Sequence, residues 1–208
     1  DGDAAAVDSG GGTASVEGAS AKKEQGMPGR ATTHFMHPPE RDRSGFIIEP
    51  AAMATMVIFG ATGDLAERKL IPAIYNLWNA GYLPRRIAVV GAARRPLDEN
   101  DFRQSMCEAL KKHSRTGHGD SDRCDPFVSN LYYQQVRFDV PDDYARLKVR
   151  LDAIEAEQGA PGNRLYYLAV APEYFATIVE QLGPSGCVHT PGCTPWTRVI
   201  AEKPFGFD

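Results

Sequence analysis

The sequence predicts an α/β protein built on a doubly wound parallel sheet, and three observations carry that prediction. Apolar runs and helix-period segments alternate from about residue 53 onward, the pattern of strands joined by crossover helices. The runs Val57-Ile58-Phe59 and Ile87-Ala88-Val89-Val90 are continuous rather than alternating, as strands buried on both faces require. Gly60-Ala61-Thr62-Gly63 stands directly between the first run and a helix-forming segment, which reads as a tight strand-to-helix turn.

Taken in order, residues 1–52 are rich in Ala, Gly, Ser, Asp and Pro and hold almost no large apolar side chain before Phe46-Ile47-Ile48. Such a segment cannot bury enough surface to offset its ordering entropy, so it is expected to be a disordered extension preceding a domain over 53–208. Met53 stands just before the first strand and leaves open a translation start near it. That strand, Met56–Phe59, leads through the glycine turn into a helix carrying Leu70, Ile74, Leu77 and Trp78, stopped by Gly81. Pro72 lies inside this helix and removes a bond to the Arg68 carbonyl, so a kink or local widening is expected there. A second strand is expected over Ile87–Gly91, then a helix over Leu97–Lys112 capped by Asp98, with Phe102, Met106, Ala109 and Leu110 on one face.

After a polar loop from His113 to Asp125, a third strand is expected over Leu131–Val140, which puts Asp139 and Val140 at its carboxyl end. Pro141 opens a helix through Ile154, and Gly159–Asn163 is a turn. A fourth strand over Arg164–Val170, a helix from Pro172 to Leu182 and a fifth strand over Thr197–Ala201 complete the series, which ends in Glu202-Lys203-Pro204-Phe205-Gly206. This alternation implies right-handed crossovers and a Rossmann-type domain.

Composition narrows the function classes. A net charge of −4 argues against a nucleic-acid groove. No run reaches the length of a membrane span, and the N-terminus lacks the layout of a secretory leader, so the cytoplasm is the expected compartment. Cys107, Cys124, Cys187 and Cys193 form no C-x-x-C pair, and free thiols are expected. Cys187, His189 and Cys193 lie close together but lack the paired spacing of structural zinc, so no metal is expected. None of the five histidines is an evident catalytic base.

Chemistry concentrates at strand ends. The Gly60–Gly63 turn suits a pyrophosphate, because glycines let the backbone come close and the following helix presents unpaired N–H groups. The third glycine of the usual fingerprint is Ala66 here, and a glycine turn that binds nothing is the plain alternative. Beyond the second strand an acid would suit a ribose 2′-hydroxyl. Arg94 and Arg95 stand there instead, and their planar cations suit a 2′-phosphate, favouring NADP over NAD. A pair of solvated arginines is the alternative. At the last strand Lys203 offers three N–H donors to substrate and coenzyme, Pro204 stiffens the turn and Glu202 orients the lysine; a snorkelling lysine is the competing reading.

G-A-T-G-D-L-A-E-R-K-L at 60–70, V-G-A-A-R at 90–94, N-R-L-Y-Y-L-A-V at 163–170 and E-K-P-F-G at 202–206 together resemble the coenzyme domain of the glucose-6-phosphate dehydrogenase family, in matching order over about Met56 to Asp208. The resemblance implies NADP cradled by Gly60, Ala61, Thr62, Gly63, Asp64, Leu65, Ala66 and Glu67. It implies Arg94 on the 2′-phosphate, Asp139 and Val140 along the coenzyme edge, and Lys203 touching both coenzyme and sugar phosphate. Phe175 falls where some members carry a coenzyme-facing tyrosine, so a hydroxyl contact there is not expected. In relatives the R-I-D-H-Y-L-G-K-E grip on the sugar phosphate and the histidine that takes the 1-hydroxyl proton follow E-K-P-F-G, so the resemblance implies, as an expectation, that the second, α+β substrate domain is absent from this chain.

The implied function is the N-terminal part of an enzyme that oxidises glucose 6-phosphate to 6-phosphogluconolactone with hydride transfer to NADP, entering the pentose phosphate pathway. The fragment alone is expected to be inactive, and the full-length protein to be a homo-oligomer without nucleic-acid or membrane partners. Two other readings stay open: an NADP-dependent sugar dehydrogenase of the glucose–fructose oxidoreductase type, and a non-catalytic NADP-binding sensor.

Overall fold

A computed structural model describes residues 51–114 and 125–202. The extension expected over 1–52 falls, up to residue 50, outside the described residues, as do Cys124, Lys203 and Pro204.

Five strands form one all-parallel sheet: β1 Thr55–Phe59, β2 Val89–Ala93, β3 Leu131–Gln135, β4 Arg164–Leu168 and β5 Thr197–Ala201, in the order β3-β2-β1-β4-β5. The helices are α1 Ile71–Asn79, α2 Glu99–His113, the single turn α3 Asp125–Val128, α4 Pro141–Gln158 and α5 Phe175–Leu182. Side chains alternate across β1: Ile58 joins Tyr75, Trp78, Phe102, Leu110 and Phe127 beneath α1 and α2. Val57 and Phe59 join Tyr144, Leu147, Leu151, Tyr166 and Ile178 beneath α4 and α5. Both faces are therefore covered, as a doubly wound fold demands.

Several boundaries differ from the sequence reading. β2 spans Val89–Ala93 rather than Ile87–Gly91: Ile87 is held in a turn by its N–H bond to the Pro84 carbonyl (3.1 Å), while Ala92 pairs with Phe59 and Ala93 with Gln135. Gly91 is a packing residue instead: a Cβ there would lie 2.6 Å from the Phe102 ring. β3 ends at Gln135, short of the expected Val140, since Asp143 of α4 takes the Arg137 N–H (2.8 Å) and Tyr144 Oη donates to the Phe138 carbonyl (2.9 Å). Those backbone groups are satisfied by the helix, not by a ladder. β4 likewise ends at Leu168, and a 3-10 turn over Pro172–Tyr174 precedes α5. α4 continues past Ile154 to Gln158 and stops at Gly159, whose φ of +65° suits the residue that ends a helix.

The widening expected at Pro72 is present as a π-helical segment, Ala66–Leu70, in which the Ile71 N–H donates to the Ala66 carbonyl. The longer loop accommodates the donor that Pro72 lacks. In α1 the buried residues Ile71, Ile74, Tyr75 and Trp78 follow helical spacing. Leu77 falls about a third of a turn off that stripe and is 46% exposed, against expectation. Asp98 caps α2 through the Asn100 N–H (2.8 Å), with Phe102, Met106, Ala109 and Leu110 buried.

Cys107 is disulfide-bonded, which corrects the expectation of free thiols throughout; pairing depends on which thiols meet in space, and spacing along the chain does not report that. Cys187 is free and buried, Cys193 free and exposed. Among the described residues no helix is long and apolar enough to cross a membrane.

Candidate functional site

The strand order reverses direction at β1, where the chain goes outward through β2 and β3 and then returns to place β4 on the other side. Crossover helices leave a crevice at such a switch point, beyond the carboxyl ends of the strands. A cavity of about 610 Å³ lies there, lined by Gly60, Thr62 and Gly63 after β1, Ala93, Arg94 and Arg95 at and after β2, and Phe138 after β3. Ala169, Val170, Ala171 and Tyr174 after β4 close it.

The floor is made by the glycine turn. Gly60 has φ +82° and its N–H donates to the Ala92 carbonyl (2.8 Å), which ties the turn to β2. A Cβ at Gly60 would lie 2.2 Å from the Ala169 carbonyl oxygen, so β1 and β4 close up only around a glycine. The Gly63 N–H returns to the Gly60 carbonyl (2.9 Å), and the Gly63 carbonyl accepts from Glu67 (3.1 Å). Helical backbone therefore begins at Asp64, and the N–H groups of its first turn have no acceptor within the helix. That arrangement favours an anion.

The cationic wall is set by aromatic side chains. The Arg94 guanidinium sits 5.1 Å from the Tyr174 ring centroid and 5.5 Å from that of Phe138, and Nη1 donates to Tyr174 Oη (3.2 Å). The Gln135 side-chain amide donates to the Arg94 carbonyl (2.9 Å), fixing its backbone. An arginine fork held in this way keeps further N–H donors for phosphate oxygens.

Of the residues expected from the sequence, Gly60, Thr62, Gly63 and Arg94 are brought together around this cavity. Ala61 and Ala66 are buried in the core, Asp64 pairs with Arg68 (3.3 Å) at the surface, and Leu65 and Glu67 are half-buried. Asp139 and Val140 lie in the turn before α4 and do not line the cavity; the neighbouring Phe138 does. Phe175, the first residue of α5, packs against the core, while Tyr174, one residue earlier, supplies a hydroxyl at the cavity. Sequence reasoning missed Phe138 and Tyr174, whose only signal was their position just beyond strand ends.

At the end of β5, Glu202 accepts a hydrogen bond from Tyr167 Oη of β4. Burial first, and then the Glu202 carboxylate, push the Tyr167 phenol up to about 12. The residue read as orienting Lys203 is thus itself tethered to the neighbouring strand. A larger depression of about 740 Å³ lies along α1, lined by Pro72, Ala73, Leu77, Tyr82 and His113 among others. It lies away from the glycine turn and the strand ends, so the smaller cavity is the chemically equipped one.

A family model described as glucose-6-phosphate dehydrogenase, NAD binding domain, matches residues 57–208. The chain belongs to the glucose-6-phosphate dehydrogenase family. Glucose-6-phosphate 1-dehydrogenase of Bacillus subtilis is 43% identical over 155 residues, covering 74% of this chain and 30% of the relative. The Chlamydia muridarum enzyme is 40% identical over 155 residues, covering 74% of this chain and 31% of the relative. Glucose-6-phosphate 1-dehydrogenase 2 of Mycobacterium tuberculosis is 38% identical over 181 residues, covering 87% and 35%. A solved structure of a glucose-6-phosphate dehydrogenase in complex with its substrate glucose 6-phosphate superposes with a TM-score of 0.64 at 31% identity, over 76% of this chain and 32% of that one. The chain thus spans about a third of the length of the curated relatives it matches. The glucose-6-phosphate dehydrogenase family is one of oxidoreductases, and the part matched here is its coenzyme-binding domain.

Proposed function

We propose that this chain is the NADP-binding part of an oxidoreductase that oxidises glucose 6-phosphate to 6-phosphogluconolactone, the first step of the pentose phosphate pathway. The observation that carries the reading is one cavity, at the switch point of a sheet in this family, that joins the Gly60–Gly63 turn to the Arg94 and Arg95 cations. Its volume, about 610 Å³, is that of a small-molecule site. Its donor set is backbone N–H at one end and guanidinium at the other, which fits a ligand carrying a pyrophosphate and a separate phosphomonoester.

NADP, when bound, supplies the hydride acceptor. The first turn after Gly63 holds the pyrophosphate, and Thr62 adds a hydroxyl beside it. Arg94 pairs with the 2′-phosphate, and the Ala169–Ala171 backbone forms the opposite wall. Asp139 and Val140 flank the coenzyme edge as supports of Phe138. Lys203, directly after the tethered Glu202, donates to the sugar phosphate and orients it against the coenzyme. We place the domain over 53–208 with residues 1–52 outside it, in a cytoplasmic protein that is a homo-oligomer at full length.

Calorimetric titration of the 208-residue chain with NADP and with NAD tests the coenzyme assignment. NADP binds, NAD binds weakly, and Arg94→Ala weakens NADP by about thirtyfold, the range of a charge-assisted pair. An intact, folded chain that binds neither coenzyme refutes the reading. In the full-length protein, Lys203→Ala abolishes NADP reduction by glucose 6-phosphate while leaving NADP binding in place; retained turnover would remove Lys203 from the site.

A further inference from the structure

Tyr174 brings a hydroxyl to the cavity from the 3-10 turn after β4, and nothing in the reading above uses it. It faces Arg94 from β2 and Phe138 from the segment after β3, so three strand ends converge on one guanidinium. The Tyr174 and Phe138 rings meet edge to face, 5.3 Å between centroids at 64°, which fixes the tyrosine ring against a buried partner. In the bond to Arg94 the Tyr174 oxygen accepts (3.2 Å). A phenol that accepts keeps its own hydrogen to donate, and among the described residues that hydrogen meets no acceptor. Arg94 and the Tyr174 hydroxyl therefore present adjacent donors to the same volume.

We propose that the Tyr174 hydroxyl is a second donor to the coenzyme's 2′-phosphate and so a determinant of the choice of NADP over NAD. The inference rests on the coenzyme reading and deepens it. A phosphomonoester has three strong acceptor oxygens; the arginine fork engages two of them and leaves a third for a neutral donor at its side. The 2′-hydroxyl of NAD carries no charge to draw either group, so removing the phenol oxygen bears on one coenzyme and not the other.

The test is titration of the parent chain and of Tyr174→Phe with NADP, NAD and adenosine 2′,5′-bisphosphate, with thermal melts confirming that both proteins fold. The phenylalanine keeps the ring against Arg94 and Phe138 and removes only the oxygen. NADP and adenosine 2′,5′-bisphosphate are expected to weaken by about fivefold to tenfold, with NAD changed by less than about twofold. A Tyr174→His variant, which restores a donor, recovers part of the loss. Unchanged NADP affinity overturns the proposal, and so does equal weakening of NADP and NAD, which would make Tyr174 a shaper of the cavity only. A folded parent chain that binds neither coenzyme overturns the coenzyme reading itself, an outcome distinct from the other two.

Discussion

Gly60 holds a position that a residue with a Cβ enters only by moving backbone. Its φ is +82°, and the added carbon would meet the Ala169 carbonyl at 2.2 Å and Val170 at 2.9 Å, with no flexible side-chain end to give way at the first contact. Gly60→Ala is therefore expected to cost about 2–4 kcal/mol, combining left-handed strain with a pushed-apart β1–β4 junction. Urea unfolding measures the cost, and NADP titration of the folded fraction reads the accompanying distortion of the turn. A loss under about 1 kcal/mol would show that the junction adapts. Gly60 and Gly63 were legible in the sequence because a glycine turn is a local event, settled by a few consecutive residues. Arg94 was legible for a similar reason, as the first charged residue after a buried run. Phe138 and Tyr174 were not: an aromatic side chain beside an apolar run reads as core, and both do pack on the core. Only the meeting of β2, β3 and β4 ends turns them toward Arg94.

Elements show the same division between what is local and what is not. All five strands and the helices α1, α2, α4 and α5 were readable from apolar runs and their spacing, and the Asp98 cap from its position before α2, whereas the single turn α3 was not expected. Strand ends were not, because a strand stops where its neighbours stop offering partners. The clearest case is β3, where Asp143 in the first turn of α4 draws the chain away. Its carboxylate, 1% exposed, accepts from the Arg137 N–H (2.8 Å), from Arg137 Nε (2.9 Å) and Nη2 (3.0 Å), and from Arg146. The Arg137 side-chain bond, more than any other influence, holds the Asp143 carboxyl below the usual carboxylate range. A group whose folded pKa lies below its unfolded value of about 3.9 adds stability above that pH and loses it as the pH falls through the folded value. Asp143→Asn should therefore lower the urea midpoint at pH 7 and flatten its decline below about pH 4 relative to the parent. Parallel acid limbs in the two proteins would show that Asp143 is not among the groups that drive acid unfolding.

At the scale of the whole molecule, the cavity proposed for the coenzyme does not hold, among the described residues, every group that the proposed reaction needs. Oxidising a cyclic sugar at C1 needs a base within hydrogen-bond reach of the 1-hydroxyl, besides the hydride acceptor. The cavity is lined by glycines, alanines, two arginines, Thr62, Val170, Phe138 and Tyr174, with neither a carboxylate nor an imidazole among them. Arginine stays protonated at any working pH and cannot accept the proton. The Tyr167 phenol of β4, raised to about 12, keeps its proton and donates a hydrogen bond to Glu202, so it is no base at neutral pH. Glu202 is exposed and accepts the hydrogen bond of that phenol, and it lies outside the lining of the cavity. Binding and turnover should therefore separate in this molecule. The 208-residue chain is expected to bind NADP, yet to produce no increase in absorbance from reduced coenzyme when glucose 6-phosphate is added, over any pH from 6 to 9, whereas the full-length protein reduces NADP under the same conditions. Steady turnover by the 208-residue chain would require a base among residues that the cavity does not contain, and would move the chemistry to another part of the chain.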